Sequence, residues 1–277
     1  SASELAILTG HNTYRDKSEL YVKYWKKYWK DDYEKIVSKL NKQNKAPKLP
    51  ETSGQAVARI ARENNISTKD VKQLFAVSKE KDATKVNKKK DEILKRVVKE
   101  LPANLKNDFV KSANSLAYTG FGTRNETNAV KIYEELSGNN VDILTKYFHN
   151  DIFIIEEFEN RPDVWSLGGK IDGLVEQEKN NLDTDIVLEI KNRMNGLFNK
   201  LRDYEKVQCF AYMFILDKRR VHLAECYKNT SGSTMNILDI AWDEQFWFDK
   251  VVNKLSDFVD DFYAFLKDEK RKIGILS

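Results

Sequence analysis

From Asp16 to Leu40, the apolar and aromatic residues Leu20, Tyr21, Tyr24, Trp25, Tyr28, Trp29, Ile36 and Val37 recur at the spacing of one helical face. This stripe predicts a helix whose aromatic side packs into a core. Stacking on nucleic-acid bases is the competing use of such a surface. A second stripe, Phe246, Trp247, Val251, Leu255, Phe258, Phe262 and Phe265, predicts a long closing core helix over about 242–268. Residues 2–9 start a short helix with Ser1 or Ser3 as cap. Between the stripes, apolar periodicity changes from helical to alternating.

NKQNKAPKLPETSG, with its two prolines, reads as a linker-like break. QAVARIARENN and TKDVKQLFAVS follow as two short amphipathic helices, and 84–101 as a third that begins with KVNKKK. We read about 42–112 as a mostly helical, basic insertion, either a clamp on a nucleic acid or a partner, or a structural lid. Gly120 and Gly122 suggest a tight turn. A helix from about Thr123 to Leu136 follows, with Glu126 in its first turn and Gly138 as C-cap. Strands are expected near 141–148, 152–158, 165–177, 184–191, 219–227 and 234–240, with a helix from about Leu201 to Leu216. The predicted fold class is α/β, with a mixed central sheet and helices on both faces.

The stretch WSLGGKIDGLVEQEKNNLDTDIVLEIK, residues 165–191, has the pattern of a hairpin around KNNLDTD. Strand alternation puts Lys170 and Asp172 on one face of its first arm. It puts Glu189 and Lys191 on one face of the second, with Ile186, Leu188 and Ile190 behind them. Gln208 and Tyr212, four apart, share a face of the next helix. Carboxylates so placed suit a divalent cation, and a lysine beside them suits phosphodiester hydrolysis. A buried salt-bridge cluster is the structural alternative, and it is costly without full pairing.

Composition narrows the chemistry. The 277 residues are 41% hydrophobic and 32% charged, with a formal net charge of +4. Lysines are dense from Lys23 to Lys111, which suggests a polyanionic partner, with a solvated lysine-rich face as the equal alternative for any single lysine. Two cysteines without a CxxC pair, and three histidines, argue against a Cys/His zinc site. Cys209 has no nearby histidine in sequence to make it a nucleophile. No apolar run is long enough for a membrane span. SASELAILTG lacks the features of a signal peptide. A soluble intracellular protein is the expectation.

The pattern KIDG…LEIK resembles the PD-(D/E)xK nuclease superfamily, with Ile171-Asp172 in place of its Pro-Asp. VQCFAY, carrying Gln208 and Tyr212 as QxxxY, is similar to its RecB-like branch. SASELAILTGHNTYRDKSELY and FGTRNETNAVKIYEELSG resemble blocks of YqaJ-type viral recombinases, the lambda exonuclease family. LEIKNRMNGLF…YEKVQCFAYM looks like versions from large eukaryotic DNA viruses. These blocks span about a third of the chain and occur in the family's order.

The resemblance implies one restriction-endonuclease-like domain over 1–277, carrying the insertion at about 42–112. It implies a Mg²⁺-dependent exonuclease, with Mn²⁺ as substitute, that digests double-stranded DNA ends 5′→3′ in recombination, repair or replication. The product strand would pass to a single-strand annealing protein, and a homo-oligomer is expected unless the insertion blocks the ring-shaped trimer that lambda exonuclease forms. Asp172, Glu189, the Ile190 carbonyl and Glu126 would hold metal, and Lys191 would serve the nucleophilic water. Ser3, Lys170, Arg193, Gln208 and Tyr212 would contact or frame the substrate. Lys170 stands where the family has a small residue, which opens a phosphate contact and unsettles dependence on a 5′-phosphate. A structure-specific endonuclease and a non-catalytic DNA-binding recombination protein are the alternatives. The intact Asp, Glu, Lys and Gln set speaks against the second.

Overall fold

A computed structural model describes residues 1–43, 51–77, 79–158, 161–175 and 185–277. The two aromatic stripes meet. Helix α2 (Ser18–Tyr28) turns Leu20, Tyr21, Tyr24 and Trp25 inward against Phe258, Phe262 and Phe265 of helix α9 (Asn253–Lys267). The rings pack edge to face, Tyr21 on Phe258 at 5.1 Å and Trp25 on Phe265 at 5.5 Å between centroids, the geometry that aromatic quadrupoles favour. Core packing is therefore the use of most of this stripe; Tyr28 is left out of it and stays exposed.

The single helix expected over 16–40 is two. Trp29 leaves helical geometry at φ −123° and ψ 54°, and α3 (Lys30–Lys42) starts after it. The closing helix is also divided, into a π-helical turn Phe246–Val252, α9, and α10 (Glu269–Leu276) capped by Asp268. Of the linker-like break after α3, residues 44–50 lie outside the described residues.

The lysine-rich stretch is helical, as the pattern implies. Helices α4 (Ser53–Glu63), α5 (Thr68–Val77) and α6 (Ala83–Glu100) pack around α7 (Ala103–Ser137). Their core includes Val57, Ile60, Leu74, Val86, Val97, Phe109 and Phe121. The expected turn at Gly120 and Gly122 does not form. Helix α7 runs 35 residues through both, about 52 Å, because Phe109, Ala113, Ala117, Phe121 and Asn125 keep a buried stripe across the glycines. The helix ends where expected, at Gly138 with φ 71°. The lysine run differs from the clamp reading. Lys90 is buried, 3.0 Å from the Tyr118 hydroxyl, and Lys89 is 2.7 Å from Glu80.

The central sheet runs β1 (Val141–Asp142), β4 (Gly173–Val175), β5 (Ile186–Arg193), β6 (Arg220–Asn229), β7 (Gly232–Ala241). Only β5 and β6 are parallel, joined by α8 (Asp203–Leu216). Ile186, Leu188 and Ile190 face Ala129, Val130 and Tyr133 of α7. Val187 faces the other side, into the core that holds Val207 and Phe210 of α8. Helices thus cover both faces, the α/β architecture expected.

The hairpin is the main departure. Its first arm is two strands in two sheets. β3 (Arg161–Lys170) pairs with β2 (Tyr147–Phe158), and β4 joins the central sheet. The chain changes sheets at Ile171 and Asp172. Of the expected turn KNNLDTD, residues 179–184 lie outside the described residues. Likewise the strand expected over 141–148 is only β1, and Tyr147 begins the longer β2.

The helical state of α7 is directly testable. A Cβ on Gly122 would meet nothing within 4 Å. Gly122→Ala should therefore raise stability by about 0.5–1 kcal/mol in urea unfolding, by removing glycine's excess unfolded-state freedom. A loss of similar size would restore the turn.

Candidate active site

Asp172 is placed by the sheet change. It directly precedes β4, whose Gly173 pairs with Leu188 of β5. One Asp172 carboxylate oxygen accepts the Ile190 backbone N–H at 2.7 Å. The Glu189 carboxyl lies close enough for each of the two to shift the other's proton affinity. Two carboxyls in such contact share a proton more easily than they carry two charges.

Alternation along β5 turns Glu189 and Lys191 toward α8. Lys191 Nζ donates to Glu189 Oε1 at 2.5 Å and to Gln208 Oε1 at 2.9 Å. Gln208 Nε2 donates back to Glu189 Oε1 at 3.0 Å and to the Tyr212 hydroxyl at 2.8 Å. The four-residue spacing read from the sequence is what lets Gln208 and Tyr212 meet there. Glu189 is 4% exposed, so its charge has little water to lean on.

The protonation states follow from that burial. Burial pushes the Glu189 carboxyl up to about 7; Lys191 pulls it down and Asp172 pushes it further up. Asp172 is also raised, chiefly by burial, against the opposing Ile190 N–H and Lys191. Burial pulls the Lys191 ammonium down, but Glu189 more than offsets this and the net direction is up. Glu126 points to the same place from mid-helix in α7. Its carboxyl is raised chiefly by partial burial and then by Asp172, and lowered by Lys170 and Lys191. Glu126 and Lys170 are themselves exposed, so they form the solvent-facing rim. Asn192 ties α7 to the end of β5 by donating to the Gly122 carbonyl at 3.0 Å.

The structure therefore brings together Asp172, Glu189, Lys191, Gln208 and Tyr212, with Glu126 and Lys170 at the edge. Ile190 contributes its backbone while its side chain sits in the α7 core. Ser3 lies outside the hydrogen-bonded cluster, exposed on α1 (Ala2–Leu8), with its hydroxyl 3.3 Å from that of Ser1.

Arg193, expected beside the substrate, has another role. It is 8% exposed and donates to Glu205 at 2.7 Å and to Glu225 at 2.8 Å. The Phe198 ring lies 4.1 Å from its guanidinium carbon. The two buried carboxylates need that cation, so Arg193 is a strut under the β5–α8 connection. Neither Glu205 nor Glu225 stood out in sequence, because only the fold brings β5, α8 and β6 together. Burial raises the Cys209 thiol far out of the nucleophilic range.

Two glycines also escaped the sequence reading. A Cβ on Gly169 would come within 2.8 Å of the Tyr212 ring and 3.3 Å of Ala2. A Cβ on Gly168 would come within 2.6 Å of the Tyr147 ring. A glycine pair inside a strand pattern signals such close approach.

Among the described residues, no three His, Cys, Asp or Glu side chains are grouped closely enough to hold a metal by themselves. The donor chemistry still fits a hard divalent cation. Asp172 and Glu189 present adjacent carboxyl oxygens whose raised proton affinity marks a site short of positive charge.

No family model matches the chain, and no curated protein matches it in sequence. Among solved structures, the chain is similar to an alkaline exonuclease, LHK-Exo, from Laribacter hongkongensis. The identity is 16% and the TM-score 0.38, over 73% of this chain and 92% of that one. LHK-Exo in complex with dAMP gives 15% and 0.37, over 74% and 93%. A protein designated SSO0001 gives 14% and 0.36, over 57% and 68%.

The raised Glu189 carboxyl fixes a pH dependence. The folded chain holds that proton up to about pH 7, the unfolded chain only to about its ordinary 4.5. The associated stability is full below the lower value and lost as pH rises through the upper one, roughly 3 kcal/mol in all. His11 and His222, lowered by burial, act in the opposite direction. The comparison is therefore with Glu189→Gln, in chelator. Between pH 5 and 7.5, wild type should lose stability relative to the variant in denaturant unfolding. Parallel curves would mean that Glu189 is ionised throughout.

Proposed function

We propose that this chain is a metal-dependent deoxyribonuclease that digests linear double-stranded DNA from its ends, in the 5′→3′ direction. The connected group Asp172–Glu189–Lys191–Gln208, gathered where the chain changes sheets, carries the reading. The ordered motif blocks that resemble the lambda exonuclease family supply the substrate class.

Asp172, Glu189 and the Ile190 carbonyl would hold Mg²⁺ or Mn²⁺, with Glu126 reaching the outer side. The chemistry such an ion supplies is polarisation of a phosphoryl oxygen and acidification of a bound water. The chain's own groups do the rest. Lys191 orients the attacking water and offsets charge that develops on the phosphate. Gln208 holds Lys191 and Glu189 in register, since it bonds to both. Tyr212 fixes the Gln208 amide. Lys170, exposed on the rim, offers a cation to a backbone phosphate. The strand left behind is the substrate class of a single-strand annealing protein. A homo-oligomer would keep such an enzyme on its duplex. No helix among the described residues is long and apolar enough to cross a membrane.

End-labelled linear duplex with Mg²⁺ tests the reading. Wild type should release nucleotides from 5′ ends, and closed circles should stay intact. Asp172→Asn, Glu189→Gln and Lys191→Ala should each slow digestion roughly a hundredfold or more, with DNA binding kept. Cutting of the circle would make the protein a structure-specific endonuclease. Full digestion by any of the three variants would remove the site assignment. A comparison of 5′-phosphate with 5′-hydroxyl ends reads the contribution of Lys170.

A further inference from the structure

Helix α8 carries another tyrosine on the face that serves the carboxylate cluster. Tyr204, Gln208 and Tyr212 follow one another at four-residue intervals, so all three line one side of the helix. Tyr212 is buried and tied to Gln208, and Gln208 is tied to Lys191 and Glu189. Tyr204 lies one turn before Gln208, about 6 Å along the helix, and is only partly buried. A second ring stands against it. Tyr14, in the loop between α1 and α2, is 74% exposed, and its ring centroid lies 6.3 Å from that of Tyr204 at an interplanar angle of 86°. In an edge-to-face pair each ring engages either an edge or one face. Whichever ring supplies the edge, at least one face of Tyr14 is left open.

The loop that carries Tyr14 is tied down. The Asn12 N–H donates to the Ala6 carbonyl of α1 at 2.8 Å, and the Asn12 side chain accepts the Tyr14 N–H at 3.1 Å. The His11 ring lies 6.2 Å from that of Phe246, which Lys206 of α8 covers at 3.7 Å. Helix α1 and this loop run along α8. At one end, a Cβ on Gly169 would meet both Ala2 and Tyr212. At the other, Tyr14 meets Tyr204. Gln208, bonded to Lys191 and Glu189, lies between the two ends. The Tyr14–Tyr204 pair therefore stands one helical turn from the cluster, on the same face. Arg202, at the N-cap of α8, pairs with no carboxylate among the described residues, and its guanidinium carbon lies 4.5 Å from the Phe198 centroid. It leaves an uncompensated cation two residues before Tyr204.

We propose that Tyr14, propped edge to face by Tyr204, stacks on an unpaired base of the DNA strand whose phosphate lies at Lys191 and Gln208. The proposal rests on the nuclease reading for the strand and goes beyond it in naming the base contact. An exposed aromatic face accepts any base, because every base has a π-face. A ring already supported by its neighbour and by a tied loop loses little freedom when a base covers it. The free cation of Arg202 favours a polyanion on this side of α8, and the flat open ring favours a base over an acidic peptide.

The test uses the full chain in EDTA with two DNA duplexes whose last few nucleotides are unpaired. One carries 2-aminopurine among the unpaired nucleotides, the other at the centre of the duplex. Wild type should change the fluorescence of the end probe and leave the central probe unchanged. Tyr14→Ala should weaken binding roughly fivefold or more and remove the change at the end probe. Tyr204→Ala should act in the same direction, because it removes the prop. Tyr14→Phe and Tyr204→Phe, which keep the rings, should bind and report like wild type. Circular dichroism checks that each variant is folded. Either alanine variant that binds and reports like wild type would overturn the proposal. So would a Tyr14→Phe loss equal to that of Tyr14→Ala, or wild type that leaves the end probe unchanged. Digestion of linear duplex with Mg²⁺, run in parallel, keeps the two readings apart. Tyr14-dependent stacking without digestion leaves the contact and removes the nuclease. Digestion by Tyr14→Ala at the wild-type KM, with the end probe unchanged, does the opposite.

Discussion

The site depends on two carboxyl groups held in contact where water is scarce. Asp172 and Glu189 cannot both be fully charged there without a cation, because burial raises both and Asp172 raises Glu189 further. Lys191 answers part of that demand, and Gln208 distributes it across α8. What remains is an appetite for positive charge that a proton or a metal ion can satisfy. This separates the cluster from a closed salt bridge such as Arg193 with Glu205 and Glu225, where one cation already serves both acids.

Much of the surrounding fold can be understood as support for that contact. The change of sheet at Ile171 and Asp172 brings one carboxyl against the strand that carries the other. Ile186, Leu188 and Ile190 anchor β5 on α7, which fixes the opposite face of the strand toward α8. The same helix α7 brings Glu126 to the rim, and Asn192 ties it to the end of β5. The Arg193 strut sets the connection from which α8 starts. The aromatic packing of α2 on α9 holds the outer layer, and it leaves Tyr28 exposed at the end of α2.

The sequence was most legible where one periodicity decided the answer. Alternation in LEIK placed Glu189 and Lys191 on one face and their apolar neighbours on the other. Four-residue spacing joined Gln208 to Tyr212, and aromatic spacing marked the buried stripes of α2 and α9. It was least legible where tertiary contacts outweighed a local signal. Gly120 and Gly122 look like a turn, yet a buried stripe carries α7 through them. The arm from Trp165 looks continuous, yet it divides between two sheets at Asp172. Arg193 looks like one more basic residue near the motif, because its two acids lie 12 and 32 residues away. Lys90 sits in a lysine run, yet its helical phase turns it inward onto Tyr118.

Proton release on metal binding tests the central claim most directly. Mg²⁺ or Mn²⁺ is titrated calorimetrically into the protein at pH 6, in two buffers of different ionisation enthalpy. With the Glu189 carboxyl near 7, each bound ion should displace about one proton. Glu189→Gln should abolish that release. Binding without proton release, or no binding of either ion, would contradict the account.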